Sequence, residues 1–439
     1  MRRLVLGAAA VIVVGGAAVI GGYFALNRIN PDPGTAPVLA GAPKDAPVLV
    51  RGRYLTLAAD CVACHTVRGG KPFAGGLSFA LPFGTLYAPN ITADPATGIG
   101  KWTDDEFVRA MHDGVRNDGK ILYPAFPYTS YTQLSRDDIL AIKAYLFSLP
   151  AVSQPNREPE LWFPFNQRWA MGFWKALFFH NQRFKPDPAK SVQWNTGYYM
   201  AFGLEHCGEC HTPRNIGFAV ESGNEMAGEV IEGWRAPNLT PDPAHGLGAW
   251  SDDQIADYLM RGHADGRGSA AGPMGEAVEH SLQYMDRRDM DALVTYLRNM
   301  PPREGNDPVS IDAKPAAAMA ATAMAPARAT PPDQRRGMKL FAEACASCHQ
   351  WNGIGQQVHY ASLLGLRSVN DPHGANVVEM ILEGVDIHVQ GNAVFMPSFA
   401  RAYSDVEIAA MANFVIEQYG DKKGLVTPGD VAARRIRSE

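Results

Sequence analysis

The sequence predicts a mainly α-helical chain of three small tandem domains behind an N-terminal membrane-spanning helix. Three observations predict it. Cys-x-x-Cys-His occurs three times, at residues 61–65, 207–211 and 345–349, and uses all six cysteines. Each copy follows a short helical pattern that begins near a glycine (Gly52, Gly197 and Gly337) and precedes a second apolar stripe of helical period. The chain opens Met1-Arg2-Arg3 and then runs apolar and uncharged for 23 residues, Leu4 to Leu26.

A bilayer-spanning helix needs about 20 apolar residues, whereas a signal-peptide core has about 7–15. The run is therefore long enough to cross. The arginines before it hold the N-terminus in the cytoplasm and send the rest outward. No clear Ala-x-Ala site stands directly before Asn27, which follows Phe24-Ala25-Leu26, so an uncleaved anchor over residues 1–30 is expected in preference to a cleaved signal peptide. No later stretch is long and apolar enough to span. A Pro-, Ala- and Gly-rich spacer, 31–48, leads to the first domain.

The first two domains, 49–150 and 191–302, share a second block. Ala88-Pro89-Asn90-Ile91-Thr92 is repeated as Ala236-Pro237-Asn238-Leu239-Thr240, and Gly98-x-Gly100-x-Trp102 as Gly246-x-Gly248-x-Trp250, at the same offset. This is a duplication. Thr103 and Ser251 follow as helix N-caps, with acidic residues in the first turn. Closing helices are predicted over Ser135 to Leu149, Asp286 to Met300 and Ser404 to Tyr419, their apolar stripes forming core faces. The third domain, 333–420, lies beyond an Ala- and Pro-rich linker, 303–332. A charged tail, 421–439, is expected on a surface. The connector 151–190 concentrates Trp162, Phe163, Phe165, Trp169, Phe173, Trp174, Phe178 and Phe179. It is expected as a packing strap, with a lipid-headgroup, quinone or subunit contact as the alternatives.

Cys-x-x-Cys-His is the attachment signature of a c-type haem: two thiols bond one porphyrin and the adjacent histidine ligates its iron. A structural zinc site needs four ligands, usually from two such pairs. A thioredoxin-like pair needs a strand–helix–strand context, and disulfides would leave the histidines without a role. The sequence therefore predicts three haem c groups, on Cys61 and Cys64, Cys207 and Cys210, and Cys345 and Cys348, with proximal ligands His65, His211 and His349. Loops at Pro72 and Pro213 are expected to supply a carbonyl to the second ring nitrogen.

A distal methionine makes an electron-transfer site. Met274, after Pro273, and Met396, before Pro397, are the candidates, each expected on non-helical backbone beside its proline. In the first domain Phe126 stands where a methionine is expected. Its distal ligand is left open, with Met111, His112 and Met171 available. Asn90, Trp102, Asn238 and Trp250 are candidates for haem propionate contacts, with holding of the turn as the alternative. A net charge of −5 excludes the basic excess that a nucleic-acid partner requires, and no nucleotide fingerprint or catalytic triad is evident.

The three haem motifs, the paired Pro-Asn-Ile/Leu-Thr blocks, the Gly-x-Gly-x-Trp turns and Leu122-Tyr123-Pro124-Ala125 together resemble the three-haem cytochrome c subunit of bacterial membrane-bound periplasmic dehydrogenases. The resemblance implies three tandem cytochrome c-like haem domains after a transmembrane helix. It implies an electron-transfer subunit, without catalysis on its own, in the inner membrane with its haems in the periplasm. Such a subunit takes electrons from a large catalytic subunit, in some relatives with a small iron–sulfur subunit, and passes them to ubiquinone. Phe126 and the N-terminal anchor resemble the branch that serves molybdenum dehydrogenases rather than quinoprotein alcohol or flavin sugar dehydrogenases. Two other classes remain open from the sequence: a multihaem peroxidase using an open first haem, and a free-standing carrier.

Overall fold

The computed structural model describes residues 30–305, 335–355 and 359–438. The predicted span Leu4 to Leu26 and nearly all of the 303–332 linker lie outside the described residues. Among the described residues no helix is long and apolar enough to cross a membrane. Among the described residues the fold is mainly helical, with four small antiparallel sheets. The chain divides into two compact units. One holds the residues up to Thr56, Cys64–Lys190 and Phe202–His206; the other holds Leu57–Ala63, Ser191–Ala201 and the residues from Cys207 onward.

The three domains use one device. An opening helix crosses a closing helix at the glycine that marked each repeat. The pairs are Val48–Ala58 with Arg136–Ser148, Val192–Tyr198 with Arg287–Asn299, and Arg335–Ala344 with Asp405–Tyr419. A Cβ at Gly52, Gly197 or Gly337 would lie 2.0, 2.0 or 2.2 Å from the carbonyl oxygen of Ala141, Ala292 or Ala410. Only glycine lets two backbones approach this closely. In the first pair the contact is reinforced by a salt bridge from Arg51 to the buried Asp138.

The predicted caps are present. Thr103 and Ser251 accept from the backbone N–H of Glu106 and Gln254, whose side chains accept in return from the cap N–H groups. Such a cap contributes about 1 kcal/mol. Ser404 and Glu407 form the same box in the third domain.

The connector packs on the first domain in part, as the strap reading expects, but one face of its helix is turned outward. Its strand Glu160–Leu161 joins the hairpin of Ser78–Leu81 and Gly84–Tyr87 as a third antiparallel strand. Its helix Met171–Phe178 then turns Gly172 and Lys175 inward and leaves Phe173 and Leu177 exposed. The Lys175 ammonium donates to the carbonyl of Asp113 at 2.6 Å and lies over the Phe179 ring. Trp174 and Phe179 do pack inward, edge-on to Tyr128.

Beside them His112 is 3% exposed, and its Nε2–H donates to the Leu134 carbonyl at 2.8 Å. Burial, helped by the Arg183 charge, depresses its pKa to about 3. An unfolded histidine protonates near about 6.5. Between those values the unfolded chain binds a proton that the fold excludes, so this group's contribution is present above about pH 6.5 and is lost as pH falls toward 3. His112→Gln keeps a donor for Leu134 and removes the titration. Melting curves of the haem-loaded chain taken from neutral pH downward are expected to show a shallower acid loss of stability in the variant.

The second and third domains form one compact unit, held by direct bonds between them. Arg235 donates its backbone N–H to the Asn376 side chain at 2.7 Å, and Asn376 returns a bond to the Arg235 carbonyl. The Arg235 guanidinium also pairs with Asp371. Helix Gly272–His280 packs on strand Val385–Val389. There the backbone N–H of His388 donates to Glu279, and Gln283 donates to the His388 carbonyl. The tail is largely exposed, in keeping with the surface position expected, and it is bonded down. It forms helix Pro428–Ser438, buries Val431, and sends Arg434 to Glu379 at 2.8 Å and to the Gly233 carbonyl at 2.6 Å.

Candidate haem sites

The cysteines stand on short turns; in the first two domains these are separated from the opening helix, whereas in the third Cys345 follows the helix end directly and bonds back to Phe341. These turns are Cys61–His65, Gly208–His211 (preceded by Cys207) and Ala346–His349 (preceded by Cys345). In the first two domains the break before the turn is made by a residue of positive φ, Asp60 at 46° and His206 at 39°. None of the six thiols is in a disulfide; Cys61, Cys207 and Cys345 are half-buried, and Cys64, Cys210 and Cys348 are exposed. Reduced thiols two residues apart, one at the core edge and one open, suit thioether attachment to a flat group laid against the core.

Each histidine is oriented by a carbonyl. His65 Nδ1 is 2.7 Å from the Pro89 oxygen, His211 Nδ1 is 2.6 Å from that of Pro237, and His349 Nδ1 is 2.7 Å from that of Ala361. A carbonyl only accepts, so Nδ1 carries the hydrogen in all three. Burial lowers each imidazole's pKa, outweighing the backbone bond that raises it. The rings are therefore neutral, with a bare Nε2 lone pair, which is the form that ligates iron. The expected donors of this carbonyl, the Pro72 and Pro213 loops, are not the ones used. The repeated Ala-Pro-Asn block supplies it in the first two domains, and its recurrence behind both motifs was the available signal.

Asn90 and Asn238 hold that block in place. Asn90 is 1% exposed; its amide donates to the Val152 carbonyl at 2.7 Å, and its oxygen accepts from the Thr92 N–H. Asn238 is fully buried and does the same with the Arg303 carbonyl, at 2.6 Å, and the Thr240 N–H. These are the bonds of turn-holding residues, and they fix the carbonyl one residue earlier that grips the histidine. Trp102 and Trp250 are half-buried. Trp250 stacks edge-on to Tyr258, with Arg267 over its ring.

On the distal side, Met274 lies inside the first turn of helix Gly272–His280 rather than on non-helical backbone. Pro273 is tolerated there because the first helical N–H groups have no intrahelical acceptor. Met396 ends strand Asn392–Met396, immediately before Pro397, on extended backbone as expected. Its hairpin partner Val385–Val389 is the strand that receives the Met274 helix. Both methionines are half-buried. In the first domain the Phe126 ring lies 5.5 Å from that of Tyr131. Met111 is packed in the core at 5% exposure and His112 is bonded to Leu134. Met171 stands half-buried at the start of the connector helix.

The residues present fit the group that the motifs imply, and the arrangement defines a protein carrying three covalently attached c-type haems. Comparison with known proteins agrees. The cytochrome c family pattern matches residues 49–150, 200–301 and 334–417, and the chain belongs to the cytochrome c family. It is 36% identical over 418 residues to the fructose dehydrogenase cytochrome subunit of Gluconobacter japonicus, covering 92% of this chain and 85% of that one. It is 35% identical over 409 residues to the cytochrome c subunit of the quinone-type alcohol dehydrogenase of Gluconacetobacter polyoxogenes, covering 89% and 85%. It is 38% identical over 383 residues to a nicotinate dehydrogenase subunit of Pseudomonas putida, covering 86% of this chain and 31% of that longer protein.

Proposed function

We propose that this chain is the electron-transfer subunit of a membrane-bound periplasmic dehydrogenase complex. It receives electrons from a separate catalytic subunit and delivers them to ubiquinone. The observation that carries this reading is the threefold recurrence of one arrangement: a thiol pair, and a neutral histidine whose Nε2 is freed by a carbonyl on Nδ1. Bound haem supplies a one-electron iron couple at each such site. The protein orients the ligands and excludes water; oxidation of substrate belongs to the partner. The relatives whose names make them cytochrome subunits of dehydrogenases support this assignment.

We assign the span over Leu4 to Leu26 as the anchor, with the haem domains on the periplasmic side. We assign Met274 and Met396 as distal ligands. The partner favoured is a molybdenum-type dehydrogenase with a small iron–sulfur subunit, on the ground of Phe126 in the first domain. Gentle solubilisation, followed by identification of the co-purifying large subunit and its cofactor, tests all of this together. A pterin supports the favoured partner, whereas a flavin or a quinone cofactor redirects it. A cytochrome that purifies alone supports a free carrier, and a high-spin first haem that turns over peroxide supports a peroxidase.

Met274→Leu and Met396→Leu are each expected to convert one low-spin site to high spin and to lower that site's potential, because the thioether stabilises the reduced iron. Electron paramagnetic resonance and a redox titration of the purified chain check this. The other two haems act as the internal reference.

A further inference from the structure

We infer that the outer stripe of helix Met171–Phe178, with Trp162 and Phe163, is a docking surface for the headgroup–acyl boundary of a phospholipid bilayer. The inference rests on the reading of Leu4 to Leu26 as a membrane anchor and adds a second contact to it.

The helix is amphipathic in the reverse sense. Its inward positions are Gly172 and Lys175, and Lys175 is only 2% exposed. Its outward positions, together with the turn before it, carry Trp169, Phe173 and Leu177, at 65%, 44% and 73% exposure. These three are four residues apart and so form one line along the helix. The Trp169 and Phe173 rings touch edge-on at 5.9 Å. Trp162 and Phe163, earlier in the connector, are exposed as well, at 69% and 79%. Single exposed apolar side chains are ordinary, but a connected set with a lysine turned inside marks a surface that meets something other than water.

The position of Asn30 indicates what that something is. Asn30 is the first described residue, and its side-chain amide donates to the carbonyl of Asn181 at 3.3 Å. Arg183 donates back to the Asn30 carbonyl at 3.4 Å. Asn181 lies three residues past the end of the inverted helix. Asn30 is only four residues on from Leu26, the last of the apolar run. Four residues span at most about 14 Å. A bilayer holding Leu4 to Leu26 therefore has its surface within reach of this helix. Composition agrees. Outside the buried Lys175 and Arg183, residues 162–190 present Lys185 and Lys190 exposed and Arg168 half-buried against one acidic side chain, Asp187, in a chain whose net charge is −5. Tryptophan and phenylalanine on such a helix are what the interfacial layer accepts, and basic residues suit its phosphates.

The test uses the full-length, haem-loaded chain with its co-purifying partner, reconstituted in phosphatidylethanolamine/phosphatidylglycerol nanodiscs. The discs contain a phospholipid with a diazirine high on its acyl chain. After illumination, adducts are mapped by peptide mass spectrometry. Adducts on the segment from Trp162 to Leu177 are expected beside those on Leu4 to Leu26. The triple variant W169Q/F173Q/L177Q is expected to lose the former, keep the latter and retain three haems by the pyridine haemochrome assay. Adducts on Leu4 to Leu26 alone would overturn the docking surface while leaving the anchor standing, as would capture of the stripe by the partner subunit or a second copy. Adducts on the stripe without any on Leu4 to Leu26 would support the surface and remove the anchor. Adducts on neither would remove both.

Discussion

Alanine at both Cys345 and Cys348 yields a chain with two covalent haems in place of three, measured as intact mass or as pyridine haemochrome per chain. The effect reaches beyond stoichiometry. Cys345 and Ala346 pack at the edge of a core built from Leu340, Phe341, Ile408, Met411, Phe414 and Tyr419. Phe341 lies between the rings of Trp351 and Tyr419, at 5.6 and 5.5 Å. A haem tethered at these thiols extends that core, and its removal leaves the edge facing water at a cost of about 25 cal/mol for each Å² of apolar surface uncovered. The third domain of the variant is therefore expected to be cut by protease at concentrations that leave the parent intact. Ser347→Ala lies between the two thiols and touches neither the core nor the histidine lock. It is expected to keep all three haems.

Gly197→Val destabilises the second domain by about 3 kcal/mol or more. The added Cβ would fall 2.0 Å from the Ala292 carbonyl oxygen and 2.7 Å from Tyr296 Cβ. Neither is the end of a flexible side chain, so the helices must part. Parting them also unseats Trp194 and Tyr198, whose rings lie 5.1 and 5.5 Å from that of Tyr296. A fall in melting temperature on the order of 10 °C is expected, with reduced haem occupancy at Cys207 and Cys210 because the opening helix positions their turn. Gly429→Ala is the control. Its Cβ would meet only the Thr427 hydroxyl, at 3.6 Å, and no change is expected.

Much of this was legible in the chain. The thiols, the three histidines, the capping residues Thr103 and Ser251 and the six crossing helices follow from local pattern, because each depends on neighbours within a few residues. The glycines were visible as markers, though the backbone contact that requires them was not. What escaped local reading depends on distant partners. The acceptors for His65 and His211 lie 24 and 26 residues on, at Pro89 and Pro237, and several loops were near enough in sequence to compete for that role. The tail read as surface from its charge and is largely exposed, but the bond that holds it, from Arg434 to Glu379, 55 residues earlier, was not legible. The connector read as packing from its aromatic content. That holds for Trp174 and Phe179, but the helix is turned so that Lys175 points inward, to the Asp113 carbonyl, and Phe173 and Leu177 outward. Phe126 marked the first domain as different, without indicating what replaces the methionine.

The bonds from Arg235 to Asn376 and Asp371, and from Glu279 and Gln283 to His388, make the long Ala/Pro tether between the second and third domains mechanically redundant. Tunnelling falls steeply with separation, so an iron-to-iron gap governed by a loose tether would fluctuate and the transfer rate with it. A gap set by clamped surfaces stays constant. Nicking the tether with a protease should accordingly leave both fragments associated and the conductance between those two centres unchanged.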